Sequence, residues 1–254
     1  MDAQLELTNN FPCYLCGEWE YRVLHEKAPF KAVKCPSCGL VYITPRLDPS
    51  SIKTLYGSAY WQSERAKDYG YTDYLADAPL YLNTYRMRSR VIDAYKTEPG
   101  SVLDVGCAAG FFLKVMEEKG WETQGLEISE DVAEYARKEL GLKGVRTGDT
   151  SLLAELPAGR FDLISFWDVV EHLEDPRAAL RAAHRLLKED GILIVETQNV
   201  ESAFAYLLGK SWQHYKHEEH LYHFAPRTIR MLLDQAGFHV VENTPRFGGK
   251  KVSI

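Results

Sequence analysis

The sequence predicts an α/β protein, a mostly parallel sheet with helices on both faces, preceded by a small cysteine-clamped ribbon. Three observations predict it. From residue 101 onward, short apolar strand patterns alternate with segments of helical period, the order that a parallel sheet requires. Within that stretch, Val102-Leu-Asp-Val-Gly106-Cys-Ala-Ala-Gly110 is an apolar strand running through a glycine-rich turn into a helix. Four of the five cysteines fall within the first 38 residues, as two C-x-x-C pairs.

The elements follow in chain order. Cys13-Tyr-Leu-Cys16-Gly and Cys35-Pro-Ser-Cys38-Gly are separated by eighteen residues, enough for a short hairpin. Each pair forms a knuckle that aims two thiolates at one centre, and two knuckles complete a tetrahedron for zinc. Cys13, Cys16, Cys35 and Cys38 are therefore the expected metal ligands, and an all-sulfur set leaves no open position, which makes the ion structural. Disulfides or a redox C-x-x-C compete, but an intracellular setting disfavours disulfides. Residues of about 45–75 read as an irregular aromatic-rich connection with Tyr56, Tyr60, Trp61, Tyr69, Tyr71 and Tyr74. The division expected is a ribbon over 1–45, the connection over 46–80 and the main domain over 81–254. A helical period runs from Tyr81 to Tyr95 and stops at Pro99-Gly100. Strands are then expected at 101–105, 122–127, 161–166 and 191–197, with a weaker one near 144–147. Helices are expected at 110–119, 130–140 and 176–188.

Composition narrows the function. Of 254 residues, 45% are hydrophobic and 26% charged, as in ordinary globular proteins with a sizeable core. No apolar run reaches the ~18–20 residues of a membrane helix, and the N-terminus lacks the basic and apolar regions of a secretory signal, so a cytoplasmic location and no membrane partner are expected. A net charge of −6 disfavours a nucleic-acid partner. Oligomeric state is not readable.

The turn after residue 105 reads G-x-x-x-G with Asp104 before it, whereas a dinucleotide's pyrophosphate favours G-x-G-x-x-G. On Asp104-Val-Gly106-Cys-Ala-Ala-Gly110 the chain resembles the class I S-adenosylmethionine-dependent methyltransferases, of Rossmann-like fold, and within them the small-molecule branch that includes the quinone-biosynthesis enzymes. The resemblance covers about residues 80–240. It implies that Asp104, Gly106, Cys107 and Gly110 hold the methionine portion of S-adenosylmethionine. It also implies that Glu127, with Ile128 beside it, accepts from the ribose hydroxyls, that Asp149 and Thr150 serve the adenine amino group, and that Phe166 and Trp167 lie near the ring or sulfonium. Read alone, Cys107 is a small buried residue, and Glu127 or Asp149 could be a helix cap.

Ser165-Phe-Trp-Asp168-Val-Val-Glu171-His172-Leu is not the Asn/Asp-Pro-Pro-aromatic segment of many nitrogen methyltransferases. The resemblance makes His172 the leading general base for an oxygen acceptor; a packing role competes. His214, His217, His220 and His223 recur every three residues, a spacing that could put imidazoles on one helical face and, with Glu218 or Glu219, hold a second metal. The resemblance instead places His220 or His223 at the acceptor. Tyr81, Tyr85, Arg86 and Arg90 precede the first strand, and one of these could meet the methionine carboxylate. The reading is methyl transfer to a small molecule at oxygen or carbon. A zinc-ribbon RNA methyltransferase and a noncatalytic partner-binding protein are the alternatives. The family's final antiparallel hairpin has little sequence left to form it after Phe238, which leaves either a very short last strand or a truncated one.

Overall fold

A computed structural model describes residues 7–8, 11–48, 51, 77–246 and 250–253. Tyr56, Tyr60, Trp61, Tyr69, Tyr71 and Tyr74 of the expected connection lie outside the described residues. Those that are described form two compact units, one from 1–54, 168–181 and 195–254 and the other from 55–167 and 182–194.

The second unit holds a parallel five-strand sheet. Its strands are β6 (Ser101–Val105), β7 (Glu122–Glu127), β8 (Val145–Thr147), β9 (Phe161–Trp167) and the start of β10 (Leu187–Gln198), in the order β10-β9-β6-β7-β8. β6 pairs in parallel with β7 and with β9, and β7 with β8. Strands covered on both faces read as continuous apolar runs, and four of the five residues of β6 are buried. Helix α1 (Ala78–Asp93) precedes β6, α2 (Phe111–Glu118) follows it and α3 (Glu130–Lys138) follows β7. α3 carries Glu130 and Asp131 in its first turn and Arg137 and Lys138 in its last, matching the helix dipole at both ends. A 3-10 segment, Thr150–Glu155, follows β8.

The expected boundaries of β6 and β7 coincide with those observed. At the fourth crossover they move: helix α4 (Pro176–Leu186) ends two residues before the expected stop, and β10 starts at Leu187 instead of 191. Lys188, expected as the last residue of the helix, is instead extended with Glu189 and Asp190, and ion pairs flank the three residues. Lys188 Nζ lies 2.8 Å from Asp162, and Asp190 lies 2.8 Å from Lys96 Nζ.

The first unit is built on an antiparallel sheet of order β11-β4-β3-β2. β2 (Arg22–Lys27) and β3 (Phe30–Lys34) are the hairpin expected between the knuckles, β4 (Val41–Thr44) is central and β11 (Tyr222–His223) comes from late in the chain. β4 is buried throughout, whereas edge strand β2 is almost wholly exposed and carries Arg22, Glu26 and Lys27, charges that discourage a further strand from pairing. A two-residue strand β1 (Leu7–Thr8) pairs with β5 (Arg46–Leu47). Helices α5 (Ala203–Leu208) and α6 (Pro226–Gln235) complete the unit. α6 buries Thr228, Ile229, Leu232 and Leu233, the single face that a 3.6 period allows. The end of β10 pairs antiparallel with β13 (Lys250–Ser253), and β13 with β12 (Asn243–Arg246). The last hairpin is thus present, with four-residue strands. Among the described residues no helix is long and apolar enough to cross a membrane.

Candidate functional site

In the sheet unit, the candidate cofactor residues gather at the carboxyl ends of β6, β7 and β9. The turn after β6 takes left-handed backbone at Gly106 (φ 72°), Ala108 (φ 47°) and Gly110 (φ 81°). Glycine is required at Gly110, where a Cβ would lie 2.5 Å from Leu142 Cδ1. The N–H groups of Gly106 and Cys107 donate to Leu126 O at 2.7 and 3.0 Å, and that of Ala108 donates to Glu127 Oε2 at 2.9 Å. A pyrophosphate would need such N–H groups for itself. Here the protein has already committed them, which is the structural counterpart of the altered glycine spacing.

Glu127, at the end of β7, also accepts from the Ser129 N–H at 2.9 Å. An ionised carboxylate has about four lone-pair sites, so capacity beyond these N–H groups is left for a hydroxyl donor. Burial raises its pKa, against the lowering effect of these N–H donors. Asp104 is 2% exposed and accepts from Ser165 Oγ at 2.7 Å. Burial pushes its pKa up to about 8, partly offset by Ser165 and reinforced by the Glu127 charge. Cys107 is buried and its thiol is held well above its usual range by burial, which makes it a packing residue and not a nucleophile. Ile128 is 40% exposed beside Glu127. Asp149 caps the 3-10 segment that begins at Thr150, accepting from the Ser151 N–H at 3.0 Å. The capping role is therefore real, and one carboxylate oxygen of Asp149 is enough for it.

Phe166 and Trp167 end β9 and are buried. The Trp167 ring meets Phe112 at 5.2 Å and Tyr85 at 5.9 Å between centroids, and its indole N–H has no hydrogen-bond partner among the described residues. A buried orphan donor marks a place where a polar ligand atom fits. Tyr81 stacks on Phe111 at 5.8 Å. Arg86 pairs with Glu118 at 3.1 Å, and it is Arg88, 5% exposed, that lies over the rings of Tyr85 and Trp167 at 5.2 Å each. The sequence carried a signal for Arg88, since Tyr81, Tyr85 and Arg88 stand at i, i+4 and i+7 on one helix face.

In the ribbon unit, the four cysteines converge, with Sγ atoms within 4.8 Å of one another. Cys13–Cys38 and Cys16–Cys35 are each 3.5 Å apart, and the N–H groups of Cys38 and Leu40 point at Cys35 and Cys38 sulfurs at 3.5 Å. Zn–S bonds of about 2.3 Å give tetrahedral S–S edges of about 3.8 Å, so the donor set suits zinc.

The histidine-rich segment departs from the expectation of one helical face. Residues 209–221 form successive turns, Trp212 N–H to Gly209 O, Tyr215 to Trp212 and Glu219 to Lys216, each spanning three residues. The imidazoles still assemble. His172 meets His220 at 4.5 Å between centroids, His220 meets His223 at 6.0 Å and His25 from β2 meets His217 at 5.2 Å and Tyr215 at 4.2 Å. Burial pushes the pKa of His172 down to about 4, with Lys216 adding to it, and that of His223 down to about 3; His220 lies well below its usual value for the same first reason. Glu171, His172 and His220 each bring a donor atom within 4.8 Å of the other two. Asp168 takes a left-handed φ of 54°, holding its side chain to the Gln198 amide. Glu171 and Asp168 were not singled out as site residues from sequence. Asp in the left-handed region is a known preference, but nothing in a single sequence marks the turn that needs it.

The family described as "Methyltransferase domain" matches residues 79–243, more than half of the chain. The ubiquinone biosynthesis O-methyltransferase of Pseudomonas paraeruginosa is 33% identical over 103 residues, 39% of this chain and 44% of that protein. That of Methylococcus capsulatus is 32% identical over 127 residues, 48% of this chain and 53% of its own. The chain thus spans about half the length of the curated relatives it matches. A SAM-dependent methyltransferase from Archaeoglobus fulgidus aligns with a TM-score of 0.55 at 25% identity, covering 66% of this chain and 75% of that one. The fold, the glycine-rich turn and the matched residues together place the chain in the class I S-adenosylmethionine-dependent methyltransferase family.

Proposed function

We propose that the protein transfers the methyl group of S-adenosylmethionine to an oxygen of a small-molecule acceptor. The observation that carries the choice of oxygen is the imidazole pair His172–His220, whose rings meet at 4.5 Å and bring neutral ring nitrogens together where a hydroxyl proton could be taken. The relatives named ubiquinone biosynthesis O-methyltransferase support a small hydroxylated acceptor. S-adenosylmethionine supplies the electrophilic methyl group on a cationic sulfur. Asp104, Gly106, Cys107 and Gly110 hold the methionine end, Glu127 and Ile128 the ribose, and Asp149 and Thr150 the adenine. Phe166 and Trp167 shape the apolar wall. His172 would take the proton of the acceptor's hydroxyl, and His220 steadies that imidazole by ring contact. Orientation supplies most of the acceleration. Cys13, Cys16, Cys35 and Cys38 hold a structural zinc that ties the two knuckles together.

The convergence of Glu171, His172 and His220 favours a second reading, in which the three ligate a divalent cation and His172 orients the acceptor instead of accepting its proton. The test is calorimetry with S-adenosylmethionine, followed by turnover against a panel of phenols and catechols with His172→Gln. Loss of about 100-fold or more in kcat with cofactor affinity kept supports the base. Activity that disappears in chelator and returns with added Mg2+ or Zn2+ supports the cation. No cofactor binding by zinc-loaded wild type refutes both.

A further inference from the structure

A cavity of about 480 Å³ opens beside the second knuckle, entirely within the ribbon unit. Arg22 of β2, Lys34 of β3 and Arg227 of α6 line it, together with Glu201 and the backbone of the Cys35–Gly39 knuckle. Three cations and one carboxylate around one cavity stand out on a chain whose net charge is −6. The ion pair drawn there is Lys34–Glu201 at 3.6 Å, with 34% and 55% of the side chains exposed, a loose pair of small energy. The side chains of Arg22 and Arg227 make no ion pair with a described residue. The start of α6 lines the same cavity through Ala225, Arg227 and Thr228, and the N–H groups of Arg227 and Thr228, in the helix's first turn, lack intrahelical acceptors.

We propose that this cavity binds a small phosphate-bearing ligand, a diphosphate group held by Arg22, Arg227 and Lys34. Two guanidiniums present paired donors that match phosphate oxygens, and a third cation balances a polyanion that the lone Glu201 would otherwise repel. The volume lies in the range of small-molecule sites and leaves room beyond the diphosphate for the group that carries it. A nucleic-acid backbone would need cations spread along a surface. The neighbouring charges on the hairpin, Lys31 and Glu26, satisfy each other at 3.4 Å and offer no such track. A different task for the arginines is also defined by the site: zinc with four thiolates sums to a charge of −2, which attracts guanidiniums. The two tasks separate experimentally, and neither depends on methyl transfer.

The test titrates inorganic pyrophosphate into the zinc-loaded full chain, following backbone amides by NMR. Saturable shifts at Cys35–Gly39 and Arg227–Thr228 are expected. Arg22→Gln and Arg227→Gln should each weaken binding by about tenfold with zinc content unchanged, and Glu201→Gln should tighten it. Shifts that never saturate, or that saturate equally in the variants, overturn the proposal. Zinc loss in the arginine variants with pyrophosphate affinity intact assigns those residues to the thiolate charge and also overturns it. Single-stranded RNA saturating the same amides where pyrophosphate does not would replace the small ligand with a nucleic acid.

Discussion

Lowering the pH from 7 to 5 should destabilise the ribbon unit through its buried imidazoles, and His223 isolates the effect. His223 is 2% exposed, and its pKa is pushed from 6.5 to about 3 by burial first and then by the neighbouring histidines His217, His25, His214 and His172. An imidazole whose folded pKa lies below its unfolded value binds fewer protons when folded. Its stabilising contribution is therefore complete above pH 6.5 and is lost as the pH falls from there toward the folded pKa. At ~1.36 kcal/mol per pH unit, one such group loses about 1.9 kcal/mol between pH 7 and pH 5. Asp104 acts in the opposite sense. With its pKa raised from 3.8 to about 8, it holds an extra proton when folded, so acidification through this window stabilises the sheet unit. A single unfolding curve mixes the two signs. The assay is urea unfolding of wild type and His223→Phe at both pH values, the difference of differences cancelling Asp104. The variant should lose about 1.9 kcal/mol less than wild type on going to pH 5. Equal losses in the two proteins would refute the idea that His223 is buried unprotonated.

Glu127→Gln should weaken S-adenosylmethionine binding by about 10- to 100-fold in calorimetry, since hydrogen bonds to a charged acceptor contribute about 1.5–3 kcal/mol; unchanged affinity would remove Glu127 from the site. Gly110→Ala meets both a left-handed φ of 81° and Leu142 Cδ1 at 2.5 Å from the new Cβ, so denaturant unfolding should show a loss of about 2–3 kcal/mol. Asp104, half-protonated near pH 8, should ionise when a cationic cofactor arrives: cofactor binding at pH 7 should release close to one proton, read as a dependence of the binding enthalpy on buffer ionisation. Cys35→Ser should lower zinc content and remove hydrogen-exchange protection from the amides of Gly39 and Leu40, while β6 and β7 keep theirs.

The parts of the fold that were legible in the sequence are those where one local cause decides the structure. β6 is an apolar run bounded by Pro99-Gly100 and the glycine turn, and its limits could be read directly. The same holds for the four cysteines, whose spacing contains the tetrahedron. Reading failed where partners distant in sequence decide. Lys188-Glu189-Asp190 is extended and its charges pair with Asp162 and Lys96, neither of which is a neighbour in the chain. His214, His217 and His220 lie among turns closed on the carbonyls of Gly209, Trp212 and Lys216, and His223 lies on a strand, an arrangement that spacing alone cannot distinguish from a helix. Arg88 was hidden by its more conspicuous neighbours Arg86 and Arg90, although its position relative to Tyr81 and Tyr85 was available.

The strand pair β4–β11 has a consequence for how such a protein can change over time. Tyr42 pairs with Tyr222 and Val41 with His223, the Arg177 N–H donates to the Tyr14 hydroxyl at 2.9 Å and the Gln235 amide donates to Leu15 O at 2.9 Å. The cysteine ribbon is therefore stitched to segments encoded some 160 to 220 residues later. It cannot be inherited or exchanged as a cassette. A lineage that lost the ribbon would leave the histidine-bearing segment without the strand it pairs with, and a lineage that remodelled that segment would have to refit the ribbon. The ribbon and the segments it is stitched to are bound to evolve as one piece.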